Sequence, residues 1–135
     1  MIVVDTNVIA YLLLPGEHTE AARATVAADA VWAAPLLWRS ELRNVLTLYL
    51  RQRHLTLAQA LEVQVAAEEL LAGREYAVES AAVLALAAAS GLSAYDCELV
   101  ALARALNVPL VTSDRRLLAS FPETAVALAS FATDA

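Results

Sequence analysis

The chain has 135 residues, 60% of them hydrophobic, and a formal net charge of -6 at neutral pH. This length suits one domain with a sizeable core, and the composition excludes disorder as the main state. No apolar run approaches the roughly 20 residues that span a bilayer, and the averaged negative field repels nucleic acid and anionic membranes, so any nucleic-acid contact must be local.

Ile2 to Val4 read as a short buried strand that runs directly into Asp5, Thr6 and Asn7. Pro15 and Gly16 break the chain before a helical stretch from about Thr19 to Asp29, and AVWAAP reads as a second strand. From Leu36 to Tyr49 the apolar residues Trp38, Leu42, Val45, Leu46 and Tyr49 keep helical spacing. Another helix opens at Thr56, with Gln59 completing a capping box, and stops by Gly73. Helices over Glu79 to Ser90, closed by Gly91, and over Ala94 to Leu106 follow. Val108 to Thr112 reads as a buried strand, Asp114 to Ala119 as a short helix, and Ala125 to Phe131 as the last strand. No repeat, low-complexity tract or linker interrupts the series.

Strands alternating with helices imply a parallel sheet covered on both faces, with ligands beyond the carboxyl ends of its strands. Asp5 and Asp114 both fall there. The first strand starts at Ile2, with no basic leader before it, so the chain is expected in the cytoplasm. The single cysteine, Cys97, has no disulfide partner within the chain and reads as a small buried residue.

Two further carboxylates, Glu41 and Asp96, lie within apolar helices. Neither has an arginine three or four positions away on its own helix. A carboxylate near a core with no local cation must find a distant partner, take up a proton or bind a metal, since burying it bare is very costly. Each also has a plainer explanation. Asp5 with Asn7 suits a turn, Asp96 three residues after Ser93 matches a capping box, Asp114 can cap the helix after it, and Glu41 can meet an arginine from another segment. Convergence of all four would make an all-oxygen cluster suited to Mg²⁺ or Mn²⁺ rather than zinc. His18 and His54 show no ligand spacing.

VVDTNVIAYL, the glutamate in SELRNVL, the aspartate in SAYDCELVALA and LVTSDRRL resemble, in order, the four motifs of PIN-domain ribonucleases. A chain of this length is most similar to the VapC toxins of VapBC toxin-antitoxin pairs. The resemblance implies one PIN domain over residues 1–135, folded as a three-layer α/β/α sandwich around a parallel sheet of about five strands. It implies an endoribonuclease dependent on Mg²⁺ or Mn²⁺, a homodimer and inhibition by a VapB-like antitoxin. By motif position, Asp5, Glu41, Asp96 and Asp114 carry over as the catalytic, metal-binding acids, with Asn7 and Thr112 supporting them.

In that reading, a metal-activated water hydrolyses an RNA phosphodiester. Arg39 and Arg43, one turn apart on the helix of Glu41, and Arg115 and Arg116, after Asp114, are placed to hold the RNA backbone or else to pair with surface glutamates. Glu98 lies about 200° around its helix from Asp96 and is expected at the rim. Apolar side chains between Leu48 and Leu71 are candidates for the dimer or antitoxin surface. An aspartyl phosphatase or a receiver domain fits poorly, because Asn7 stands where a second acid belongs and lysine is absent. The remaining alternatives are a module that binds RNA or a partner without cutting, and a stand-alone RNA-processing nuclease.

Overall fold

The computed structural model describes residues 1–134. Five parallel strands, β1 (Ile2–Val4), β2 (Trp32–Pro35), β3 (Glu75–Tyr76), β4 (Leu110–Thr112) and β5 (Ala125–Ala127), form one sheet in the order β3-β2-β1-β4-β5. The helices are α1 (Thr6–Leu13), α2 (Thr19–Ala28), α3 (Trp38–Arg51), α4 (Leu57–Leu70), α5 (Ser80–Ser90), α6 (Ala94–Leu106), α7 (Arg115–Ser120) and α8 (Leu128–Asp134). This is the expected α/β architecture with helices on both faces of a parallel sheet.

Alternation along β1 builds the two cores. Ile2 and Val4 face a cluster with Trp32, Trp38 and Leu42, while Val3 between them faces Val100, Leu110 and Leu117. All nine are at most 1% exposed, and each large apolar side chain buried this way contributes about 1.5–3 kcal/mol before its ordering entropy is counted. Among the described residues, no single helix is long and apolar enough to cross a membrane.

Local signals hold at several boundaries. Thr56 Oγ1 accepts from the Gln59 backbone N–H and the Gln59 side chain accepts from that of Thr56, the reciprocal box expected at the start of α4. Gly91 ends α5 at φ 74°, in the left-handed region that lacks a steric penalty only for glycine. The strand expected from Val108 begins instead at Leu110, because Pro109 has no N–H and offers only its carbonyl, which accepts from Val3 N at 3.0 Å.

Three elements depart from the sequence reading. The last strand stops at Ala127 instead of Phe131, and the chain turns into α8, whose Leu128 joins the core while Phe131 packs against it at helical spacing. Helix α1 follows Asp5 without an intervening loop. The two-residue strand β3 carries no periodicity of its own and exists because Ala34 N and Leu36 N of the adjacent segment donate to Arg74 and Tyr76 carbonyls.

Because β2 lies on one side of β1 and β4 on the other, the strand order reverses between β1 and β4. Chains leaving the carboxyl ends of these two strands diverge and open a crevice there.

Candidate active site

Asp5 follows β1 directly and is the N-cap of α1. Its Oδ1 accepts from Val8 N at 3.1 Å and its Oδ2 accepts from Thr112 Oγ1. The same Thr112 hydroxyl accepts from Asp114 N at 3.0 Å. One completely buried threonine at the end of β4 therefore ties the two strand-end aspartates together. Asp114 caps α7, its Oδ1 accepting from Arg116 N at 2.8 Å and Leu117 N at 3.3 Å. The capping reading of Asp114 is thus realised, and Asp5 caps a helix in place of the expected turn with Asn7, yet both carboxylates border a shared space.

That space is a cavity of about 250 Å³ whose walls include Asp5, Glu41, Asp96 and Asp114 together with Asn7. Asp96 enters from the first turn of α6, where Ser93 caps the helix by accepting from Asp96 N. Glu41 enters from the first turn of α3 and accepts from Thr6 Oγ1 at 2.9 Å. Contrary to its apolar sequence surroundings, Glu41 is an exposed residue, on the solvent side of an amphipathic helix whose buried side carries Trp38, Leu42 and Leu46. It meets a threonine rather than an arginine.

Asp5 is only 7% exposed. Burial pushes its carboxyl pKa up, the negative charge of Asp114 adds to the rise, and the hydrogen bonds from Thr112 and Val8 work against it. Glu98 is half-buried and also raised, by burial and then by the charge of Glu41. It lies beside Glu41 and outside the main cavity, which suits the expected rim position.

The four acids share one cavity without closing into a tight cluster. Among the described residues, no three acidic, histidine or cysteine side chains come close enough together to hold an ion. The physical reason is that each carboxylate is drawn to a partner of its own: Asp5 to Val8 and Thr112, Asp114 to the start of α7, Glu41 to Thr6, and Asp96 Oδ2 toward Arg116 at 3.7 Å. In donor chemistry the set still suits a hard divalent cation, being made of carboxylate oxygens around one cavity with Asp5 and Asp114 repelling each other.

The arginines separate. Arg39 does not face the cavity: its guanidinium binds Glu75 at 2.6 and 2.8 Å and Glu68 at 3.1 Å, while Trp38 Nε1 donates to Glu75 at 2.7 Å. The Arg39 hydrogen bonds hold the Glu75 carboxyl below the usual range despite its burial. Arg116 stands at the mouth, paired with Asp96 at 3.7 Å and Asp114 at 4.0 Å, and Arg43 and Arg115 are exposed. Thr6, Asn44 and Tyr95 also line the cavity and went unnoticed in sequence. Thr6 had a signal, as a hydroxyl directly after the strand-end aspartate; Asn44 and Tyr95 had none.

Comparison with known proteins agrees with this fold. Among solved structures, PAE2754 from Pyrobaculum aerophilum is similar with a TM-score of 0.78 at 21% identity, over 98% of this chain and 94% of that one. A toxin-antitoxin complex from Klebsiella pneumoniae gives 0.70 at 20% identity, over 95% and 98%. FitAcB from Neisseria gonorrhoeae gives 0.67 at 22%, over 94% and 96%. At these identities the likeness is one of fold. No curated protein matches the sequence significantly. The family profile described as PIN domain matches residues 2–124, and the chain belongs to the PIN domain family.

Proposed function

We propose that this chain, acting as a single domain, is an endoribonuclease dependent on Mg²⁺ or Mn²⁺ and the toxin of a VapBC-type toxin-antitoxin pair. The observation that carries the catalytic part is the placement of Asp5, Glu41, Asp96 and Asp114 around one cavity at the β1/β4 crevice. Asp5, Asp96 and Asp114 would hold the ion, with Glu41 binding directly or through water. The ion, when bound, supplies a water nucleophile at neutral pH and positive charge for the phosphate.

The chain's own residues do the positioning. Thr112 fixes one oxygen of Asp5 and the backbone of Asp114, so these two acids move as one unit. Thr6 holds one oxygen of Glu41 and leaves the other free to turn inward. Arg116 offers its guanidinium to an incoming phosphate and would then release Asp96, while Arg43 and Arg115 extend the basic rim. Asn7 lies on the wall beside Asp5, placed for hydrogen bonding to water or substrate.

The toxin assignment rests on family membership and on the likeness in fold to the toxin-antitoxin complex from Klebsiella pneumoniae. Its partners would be an RNA substrate, a VapB-like antitoxin and a second copy of the chain. For the last two, α4 offers Leu57, Leu61 and Val65, spaced four apart and 66%, 57% and 53% exposed.

The test is cleavage of a mixed RNA pool by purified protein with Mg²⁺, with Mn²⁺ and with EDTA, comparing wild type and Asp5→Asn. Metal-dependent cutting lost in the variant supports the reading; cutting retained by well-purified variant overturns it. The partner-occupied state of every carboxylate favours a second reading, a PIN module that binds RNA without cutting. Wild-type protein that binds RNA but neither cleaves it nor takes up metal would establish that reading. Cleavage by a chain that co-purifies with no antitoxin would point to a stand-alone RNA-processing nuclease.

A further inference from the structure

Next to the acidic cavity lies a second groove, of about 270 Å³, that the catalytic reading leaves unused. The two share Asn7 and Val45 as a common wall, so they are one residue apart. The groove differs in chemistry. Tyr11, His18 and Tyr49 contribute aromatic surface, and Pro15 and Leu14 add apolar surface. The rings of Tyr11 and His18 already stack, with centroids 4.5 Å apart and planes at 36°.

Tyr11 also reaches the acidic site, its hydroxyl 3.4 Å from Oγ of Ser113, the residue between Thr112 and Asp114. The loop closing the other end is pinned: Thr19 Oγ1 accepts from Gly16 N at 2.9 Å and donates to the Leu14 carbonyl at 3.3 Å. The His18 side chain makes no capping bond and its Nε2 stands 3.4 Å from Oε1 of the exposed Glu17, while the Asn7 side chain makes no hydrogen bond among the described residues. Asn7 is therefore available to a ligand for hydrogen bonding, and the exposed His18 ring offers its surface.

A phosphate is the wrong occupant, because Glu17 lines this groove and four carboxylates stand behind the shared wall. A flat, uncharged, hydrogen-bonding ring suits it. Aromatic surfaces stack on bases of any identity, and only an unpaired base can leave its own strand to reach them.

We infer that this groove is a nucleobase subsite, holding one unpaired base of a single-stranded RNA beside the phosphodiester presented to the acidic cavity. Tyr11, His18 and Tyr49 supply the stacking surface, and Asn7 supplies hydrogen bonds to the base edge. The inference rests on the nuclease reading for the identity of its ligand, and it specifies single-stranded over duplex substrates.

The test separates binding from cutting. Asp5→Asn protein is titrated into short single-stranded RNAs carrying 2-aminopurine at successive positions, with the same strands annealed into duplexes as controls. One position should change fluorescence on binding, and the duplex should bind more weakly. Adding His18→Ala or Tyr49→Leu should weaken the single strand by roughly 5- to 150-fold, the range for one base stack. In otherwise wild-type protein the same changes should raise KM with kcat kept. His18→Ala removes an exposed ring with no capping bond, so it tests the groove even if Tyr49→Leu fails to fold. Equal affinity of both variants, or equal binding of duplex, overturns the subsite. Cleavage that persists with such indifferent binding removes the subsite alone. Base-specific binding by a wild-type chain that never cuts removes the nuclease and leaves the subsite.

Discussion

Replacing Thr112 with valine removes one hydroxyl and keeps the shape of a buried strand-end residue. That hydroxyl donates to Asp5 Oδ2 and accepts from Asp114 N. A hydrogen bond to a charged group is worth about 1.5–3 kcal/mol and one between neutral groups about 0.5–1.5 kcal/mol. Because Thr112 is 0% and Asp5 only 7% exposed, water cannot replace either partner cheaply. The expected loss is therefore about 2–4 kcal/mol, read as a lower urea midpoint with an unchanged slope. In an Asp5→Asn background the acceptor is neutral, so the same change should cost about 1 kcal/mol less. Urea unfolding of the four proteins at pH 8 measures this coupling, and Thr112→Ser, which keeps the hydroxyl, should restore most of the stability. Coupling below about 0.3 kcal/mol, within the noise of such cycles, would refute the claim that Thr112 joins the two acids. Cleavage should fall in Thr112→Val and recover in Thr112→Ser, since the perturbation displaces Asp5 and Asp114 together.

Glu75 predicts a pH dependence. Its folded pKa lies below the unfolded one, so its contribution is complete above about pH 4.3 and is lost as pH falls through the lower folded value. The stability gap between wild type and Glu75→Gln should accordingly shrink below pH 4; a gap constant from pH 7 to 3 would contradict the pairing with Arg39. Arg39→Ala should lower the melting temperature yet leave cleavage unchanged, whereas Arg116→Ala should weaken RNA binding and flatten its salt dependence. Gly91→Ala should destabilise by about 1 kcal/mol through backbone strain alone, because open space surrounds the added methyl group. Chemical denaturation measures it, and Gly91→Asn should cost less.

The sequence by itself determined those features whose physics is local. Asp5 ending a buried strand, the Thr56 and Gln59 box, the helix from Ala94 to Leu106 and the glycine after Ser90 follow from periodicity and capping over a few residues. The order of the four acidic motifs was equally legible, because order survives folding. Tertiary structure alone decided the rest. The segment after Ala125 suits a strand or a helix, and packing of Leu128 and Phe131 against the core chose helix. β3 needed its neighbour's hydrogen bonds to be a strand at all. Arg39 sits on the same helix as Glu41, but Glu68 and Glu75, 29 and 36 residues away in sequence, draw it off the site. Thr112 meets Asp5 across 107 residues, and the aromatic groove beside Asn7 forms where three helices and a loop come together. Such contacts depend on distances between segments, and one-dimensional spacing encodes direction along an element without encoding what another element brings to it.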